Sequence, residues 1–233
     1  MNLQLENKTA LVTGSTKGIG FAIAKLLAAE GATVIVNGRT PDSTQAAAAK
    51  LGGKTRGVAA DVSTADGCAS LLKELPSVDI LVNNAGIFEP KPFVEIPDAD
   101  WDRFYQVNIM SGVRLTRGYL PGMLQRNWGR VIFISSESGV QIPDEMIHYG
   151  MTKAAEIALV NGIARLTRGT NVTINAVLPG PTASEGVTDF VSQLASGSKQ
   201  TPAEFEKEFF RSVRPTSLLQ RFATVDEVAN LVA

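Results

Sequence analysis

The chain alternates short, continuous apolar runs with longer stretches in which apolar residues recur at helical spacing. The apolar, β-branched runs predict strands at Thr9–Thr13, Thr33–Asn37, Gly57–Ala60, Ile80–Asn83, Arg130–Ser135 and Thr173–Leu178. None alternates apolar with polar positions, which is the pattern of strands covered on both faces. The intervening stretches predict helices at Gly18–Ala29, Ser43–Lys50, Ala65–Leu75, Asp100–Gln125 and Met146–Arg168. Strands alternating with helices over short links imply a single α/β domain, a parallel sheet with helices on both faces. The stretch Ser184–Pro215 breaks this rhythm: Val187, Phe190, Val191, Leu194, Phe205, Phe209 and Phe210 are scattered among Gly, Ser and charges. It predicts short helices without a strand, an excursion that forms a substrate lid at about 182–215. Beyond it, Thr224-Val-Asp-Glu227 has the spacing of a capping box at a helix start.

Composition narrows the chemistry. With 233 residues, 44% of them hydrophobic, and a formal net charge of −1, the chain has the core of a globular protein and neither the charge of a nucleic-acid binder nor that of a membrane-surface binder. One cysteine, Cys68, and one histidine, His148, preclude an internal disulfide and leave a metal site unexpected. The N-terminal residues lack the signal-peptide pattern and no apolar run approaches the roughly 18–20 residues of a membrane span, so a cytoplasmic location is expected.

Gly14, Gly18 and Gly20 sit where the first strand turns into the first helix. A helix N-terminus offers unpaired N–H groups and partial positive charge, so a phosphate is the natural guest; a tight turn without a ligand is the other reading. The spacing, G-x-x-x-G-x-G, differs from the usual dinucleotide fingerprint. The second strand ends in Asn37-Gly-Arg39-Thr40, with no carboxylate to hold a ribose 2′-hydroxyl. Arg39, with Lys17 in the glycine loop, suits a 2′-phosphate and hence NADP(H); otherwise both are ordinary surface cations.

Tyr149 and Lys153 lie four apart at the start of a helix and so share a face. A phenol titrates near pH 10, too high for rapid exchange at neutrality. A positive charge about 4 Å away, at an effective dielectric of about 20, contributes roughly 4 kcal/mol, or about 3 pKa units, with desolvation opposing it. Ser135 and Ser136, at the end of the fifth strand, are candidates to hold a substrate oxygen beside such a tyrosine. His148 adjoins Tyr149 but projects elsewhere on the helix, as a structural or pocket-wall residue, and no G-x-S-x-G elbow accompanies it.

In order along the chain, "TGSTKGIG" (13–20), "NGR" (37–39), "DV" (61–62), "NNAG" (83–86), Asn108 in "VNIMSG", "SS" (135–136), "YGMTK" (149–153) and "NAVLPGPT" (175–182) resemble the short-chain dehydrogenase/reductases. The resemblance spans nearly the whole chain, is nearest to the 3-oxoacyl-carrier-protein reductases, and accounts for the glycine spacing. It implies a doubly wound Rossmann-type sheet of strand order 3-2-1-4-5-6, with a seventh strand expected beyond residue 233. It also implies that Gly14, Ser15, Thr16, Lys17, Gly18, Ile19 and Gly20 cradle the diphosphate of NADP(H). Lys17, Arg39 and Thr40 would meet the 2′-phosphate end, and Asp61 with Val62 the adenine. Asn83, Ala85 and Gly86 would line the ribose side, and Pro179, Gly180 and Thr182 would position the nicotinamide. Ser136 would bind the substrate carbonyl and Tyr149 would be the general acid/base. Lys153 would tune Tyr149 and hold the nicotinamide ribose, and Asn108 would hold a water that relays protons to Lys153.

The implied activity is reduction of a ketone or aldehyde to an alcohol, or its reverse, in a homotetramer or dimer built on the two long helices. A 3-oxoacyl-carrier-protein reductase is the alternative. The positions that hold the acidic carrier in those reductases are Asn127 and Thr170 here, with Arg126, Arg130 and Arg168 displaced. A catalytically idle NADP(H)-binding regulator is a third possibility, opposed by the intact Asn108, Ser136, Tyr149 and Lys153. Glu137 either faces solvent, the preferred reading, or selects a polar or cationic substrate. Ile87–Phe93, Glu137–Ile142 and the lid are expected to wall the pocket, with Phe88, Phe93, Val140, Ile142 and Phe190 as its apolar surface.

Overall fold

Six parallel strands form the sheet of this computed structural model, which describes residues 3–185 and 201–233. The strands are β1 (Thr9–Val12), β2 (Thr33–Gly38), β3 (Thr55–Ala59), β4 (Ile80–Asn83), β5 (Gly129–Ile134) and β6 (Val172–Val177), in the order β3-β2-β1-β4-β5-β6. Both faces are covered, and the strands alternate between two cores. Leu11, Ile35, Leu81, Val131 and Phe133 point to one face. Ala10, Val12, Val34, Val36, Ile80 and Val82 point to the other. A continuous apolar run is therefore what each central strand requires.

The first face is covered by α3 (Ala65–Glu74), α5 (Ser111–Gln125) and α6 (Ile147–Ala164), through Leu71, Leu115, Met123 and Val160. The second is covered by α1 (Gly18–Ala29) and α2 (Pro41–Leu51) through Ile23, Leu27 and Ala47. Near the end of the chain, α8 (Val225–Val232) closes this face with Ala229 and Val232, and its Thr224–Glu227 capping box forms as the spacing predicts.

Three expectations change. The helix predicted over Asp100–Gln125 is not uniform: α4 (Asp98–Phe104) leads into a π-helical turn at Tyr105–Met110 before α5 resumes. The third strand starts two residues early, at Thr55. The excursion is flanked by a short parallel ladder in which β7 (Thr182–Ala183) pairs with β8 (Ala223–Thr224), tying its two ends together. Within it, α7 (Pro202–Ser212) opens on a Thr201–Glu204 capping box. Val187, Phe190, Val191 and Leu194 lie outside the described residues. No helix among the described residues is long and apolar enough to cross a membrane.

Candidate active site

The strand order reverses direction between β1 and β4, so the connections leaving their carboxyl ends diverge and open a crevice, where open α/β sheets bind ligands. The segments around it are the glycine loop after β1, Asn84–Gly86 after β4, Ser136 after β5 and Pro179–Thr182 after β6.

The glycine loop is pinned from below. Gly14 has φ of +60°, and a Cβ there would come within 3.0 Å of the Ala85 backbone. A Cβ on Gly20 would fall 2.4 Å from Asn84 Nδ2 and 2.7 Å from the Gly14 carbonyl, so only glycine lets α1 approach this closely. Asn84 Nδ2 donates to the carbonyls of Thr13 and Gly14 at 2.9 and 3.1 Å. Asn37 is buried with its amide spent on Gly14 N, Val58 O and Ala60 O, and its main chain exchanges hydrogen bonds with Ser15. Helices α2, α3, α7 and α8 each begin with a threonine cap, whereas Lys17 at the start of α1 supplies no side-chain cap. The first amides of α1 thus have no side-chain acceptor, as is also true of α4 and α6. Lys17 and Arg39 are exposed and form no ion pair among the described residues. Thr16 packs against Gly38, and Thr40 caps α2 through Ser43 N.

Asp61 caps its own turn, accepting from the Ser63 amide and hydroxyl at 3.0 and 2.7 Å, and Val62 is buried in the core. The Asn83 side chain turns inward to Thr116, 3.1 Å away, and its neighbour Asn84 reaches the crevice instead. Thr182 is buried, donating to Gly180 O, while Pro179 O accepts from Glu137 N.

Four proton-handling candidates converge. Of the serine pair, Ser135 Oγ donates to the Lys153 carbonyl at 2.8 Å, a structural bond. Ser136 Oγ accepts from Ser138 N at 3.1 Å, which leaves its own hydrogen for a substrate oxygen in the cavity. Tyr149 is half-buried, edge-on to Phe88, and the Lys153 ammonium sits 5.8 Å from the centre of its ring. Asn108, in the π turn, accepts from Ile87 N at 2.8 Å and donates to Ile87 O and Thr152 Oγ1 at 3.0 and 2.9 Å. A Cβ built on Gly86 would lie at ordinary contact distance, 3.6 Å, from both Asn108 Oδ1 and Lys153 Nζ, so these two groups face one gap beside Gly86. A π turn at such a point is a common functional device, because it reorients one residue of a helix.

His148 is fully buried against Phe104, with ring centres 4.0 Å apart, and against Trp101. Burial holds its imidazole below the usual range, so it is a core residue. Above the serine and tyrosine opens a cavity of about 950 Å³ whose apolar wall includes Phe88, Ile142, Phe205, Phe209 and Phe222. Phe93 and Val140, expected in that wall, are 59% and 76% exposed and lie outside it. Phe93 opens a short 3-10 turn and Val140 follows another, and in both places a run of consecutive residues faces outward.

Glu137 does not simply face solvent. Its carboxylate lines the cavity 3.4 Å from Arg214 Nε, and Arg214 Nη2 lies 3.0 Å from Glu145. Burial raises the Glu137 carboxyl despite the lowering effect of Arg214. Sequence gave no warning of Arg214, because its two carboxylate partners lie about 70 residues away in the chain.

The short chain dehydrogenase profile matches residues 8–195. The chain is 48% identical over 239 residues to the uncharacterized oxidoreductase YvaG of Bacillus subtilis, covering all of this chain and 90% of that one. It is 34% identical over 240 residues to the 3-oxoacyl-[acyl-carrier-protein] reductase FabG of Aquifex aeolicus, covering 100% and 91% of the two chains. Among solved structures, L-sorbose reductase from Gluconobacter frateurii, complexed with NADPH and L-sorbose, superimposes with a TM-score of 0.91 at 30% identity, covering 100% and 90%. The chain belongs to the short chain dehydrogenases, a family of oxidoreductases that use a nicotinamide cofactor.

Proposed function

We propose that this protein is an NADP(H)-dependent oxidoreductase that interconverts a ketone or aldehyde and its alcohol, with Tyr149 as general acid/base. The observation that carries this reading is the convergence of Ser136, Tyr149 and Lys153 on one cavity beside the uncapped start of α1. The uncapped amides and the glycine cradle fit a pyrophosphate, and Pro179, Gly180 and Thr182 fit the nicotinamide end. When bound, the cofactor supplies or accepts the hydride. Ser136 Oγ donates to the substrate carbonyl oxygen, and Tyr149 delivers the proton as the alkoxide forms. Lys153 stabilises the phenolate left behind. In a relay through Asn108 the side-chain oxygen, which faces the gap shared with Lys153, would accept from a water, because both side-chain amide hydrogens are already spent. Following NADPH consumption over a panel of carbonyl compounds tests the reading.

Arg39 and Lys17 support NADP(H) over NAD(H), as exposed cations beside a strand end that carries no carboxylate. Arg39→Asp is expected to weaken NADPH binding by roughly tenfold or more and to shift preference toward NADH, since a charge-assisted bond is worth about 1.5–3 kcal/mol. Unchanged cofactor preference in a titration with both nucleotides would remove the 2′-phosphate role.

Among the described residues, the cavity carries the carboxylates of Glu137, Asp144, Glu145 and Glu208 against the cations Arg214 and Lys153. Arg214 is already shared by two carboxylates, which favours a neutral or cationic substrate over an anionic one. A 3-oxo ester or amide is expected to have kcat/KM at least about fivefold above that of the matching carboxylate, as one charge about 4 Å away contributes roughly 1–4 kcal/mol. Because the Glu137 carboxyl is raised, this discrimination grows as pH rises through its titration, and Glu137→Gln flattens that dependence. Equal rates for ester and carboxylate would reject the charge argument.

A 3-oxoacyl thioester is itself neutral at its reacting end, and the 34% identity to FabG favours it as a second substrate reading. Against carrier docking, Arg126 donates to Val78 O, and Arg130 donates to Gly129 O and Asn171 O. A homo-oligomer built on the long helices and a cytoplasmic location complete the reading.

A further inference from the structure

Tyr149, Lys153 and Glu156 stand at positions i, i+4 and i+7 of α6 and share one stripe of that helix. The stripe continues at Val160, which packs into the core, so an apolar side chain at 156 would complete the face without burying a charge. Instead the Glu156 side chain is 2% exposed, with its two oxygens 3.0 and 3.1 Å from Lys153 Nζ. The third acceptor of the ammonium is the Ile134 carbonyl, 2.9 Å away. An ammonium has three hydrogens, and here each has an internal acceptor. Burying such a pair costs the desolvation of both ions and adds little stability over an apolar replacement, so packing alone does not account for Glu156.

We propose that Glu156 is a positioning residue for proton transfer: its carboxylate holds the Lys153 ammonium and sets how strongly that charge acts on the Tyr149 phenol. The inference rests on the reading of Tyr149 as the proton donor and adds a member to that set. With Glu156 ionised, the pair is neutral and the phenolate gains little from Lys153. With Glu156 protonated, Lys153 acts on Tyr149 with its full charge. Burial lifts the Glu156 carboxyl to about 7 against the lowering effect of Lys153, so this change of charge falls near neutrality. Among the described residues, Lys153 is the one charge acting on Glu156. Of the other titratable groups near this stripe, Tyr149 lies on the same helix, His148 faces Trp101 and Phe104, and Glu137 pairs with Arg214.

The test reads the phenol directly and needs no substrate. Tyrosinate absorbance is followed against pH in the intact chain, with the Tyr149→Phe protein subtracted, before and after Glu156→Gln. The expected result is a midpoint lowered by roughly one pH unit, as removal of one buried negative charge on the far side of Lys153 implies. Glu156→Leu, which keeps the volume and removes both the charge and the hydrogen bonds, is expected to shift it the same way. A folded Glu156→Gln protein with an unmoved midpoint overturns the proposal. So does a chain that folds with neither substitution, which would make Glu156 purely structural. Turnover that survives Tyr149→Phe would instead defeat the donor reading and leave the measured coupling of Glu156 to Tyr149 standing.

Discussion

Tyr149→Phe is expected to remove turnover by roughly a hundred- to ten-thousandfold, the usual range for a general acid/base, while NADPH affinity stays within about twofold. The substitution deletes one oxygen and leaves the ring against Phe88 and beneath Lys153, so the cavity keeps its shape. Ser136 still presents a hydrogen to the substrate oxygen, but the developing alkoxide has no proton source in place. The loss falls on kcat and kcat/KM alike, because the missing interaction is made as charge develops. Steady-state kinetics with an NADPH titration separate the two effects. A variant that turns over at the full rate would take the proton donor away from Tyr149.

Gly20→Val is expected to raise the Kd for NADPH by at least tenfold and to lower stability by about 1–3 kcal/mol, the usual cost of overpacking. A Cβ at this position meets Asn84 Nδ2 at 2.4 Å, the Gly14 carbonyl at 2.7 Å and Ser15 Cα at 3.0 Å. Two of these contacts are backbone and cannot swing aside. The third is the amide that holds the Thr13 and Gly14 carbonyls in place. Relieving the clash moves the loop, and with it the first amides of α1. Fluorescence titration with NADPH and a thermal melt measure both effects. Wild-type affinity in a folded Gly20→Val protein would show that this loop does not hold the pyrophosphate.

Residues that satisfy local rules were legible in the sequence. The β-branched runs located all six sheet strands because a strand buried on both faces must be apolar throughout, and α1 matches its expected bounds, Gly18–Ala29. Thr224 and Glu227 announced a helix start through their spacing alone. The π turn at Tyr105–Met110 could not be read, since apolar spacing does not distinguish one extra residue in a helix from none. Spacing alone did not separate Ser135 from Ser136, and only the family resemblance pointed to Ser136; the pleat sends the Ser135 hydroxyl to the Lys153 carbonyl and leaves Ser136 at the cavity.

Asn84 was passed over in favour of Asn83 for the same reason: two adjacent asparagines at a strand end point in opposite directions, and the chain does not say which way. Glu156 did leave a signal. It is a carboxylate three residues after Lys153, on a stripe otherwise committed to the core, and helical spacing alone places the two side by side. Arg214 left none, because its pairing with Glu137 and Glu145 depends on how the excursion returns over the sheet.

The central claim is that the crevice transfers hydride to a carbonyl, and the most direct measurement is NADPH oxidation by the intact protein over ketones, aldehydes, sugars and a 3-oxoacyl thioester. Product analysis should accompany it, with Tyr149→Phe run in parallel. The expected result is one alcohol formed per NADPH consumed, dependent on Tyr149, for at least one neutral carbonyl. Tight NADPH binding with no turnover of any carbonyl would contradict it and make the protein a cofactor-binding regulator.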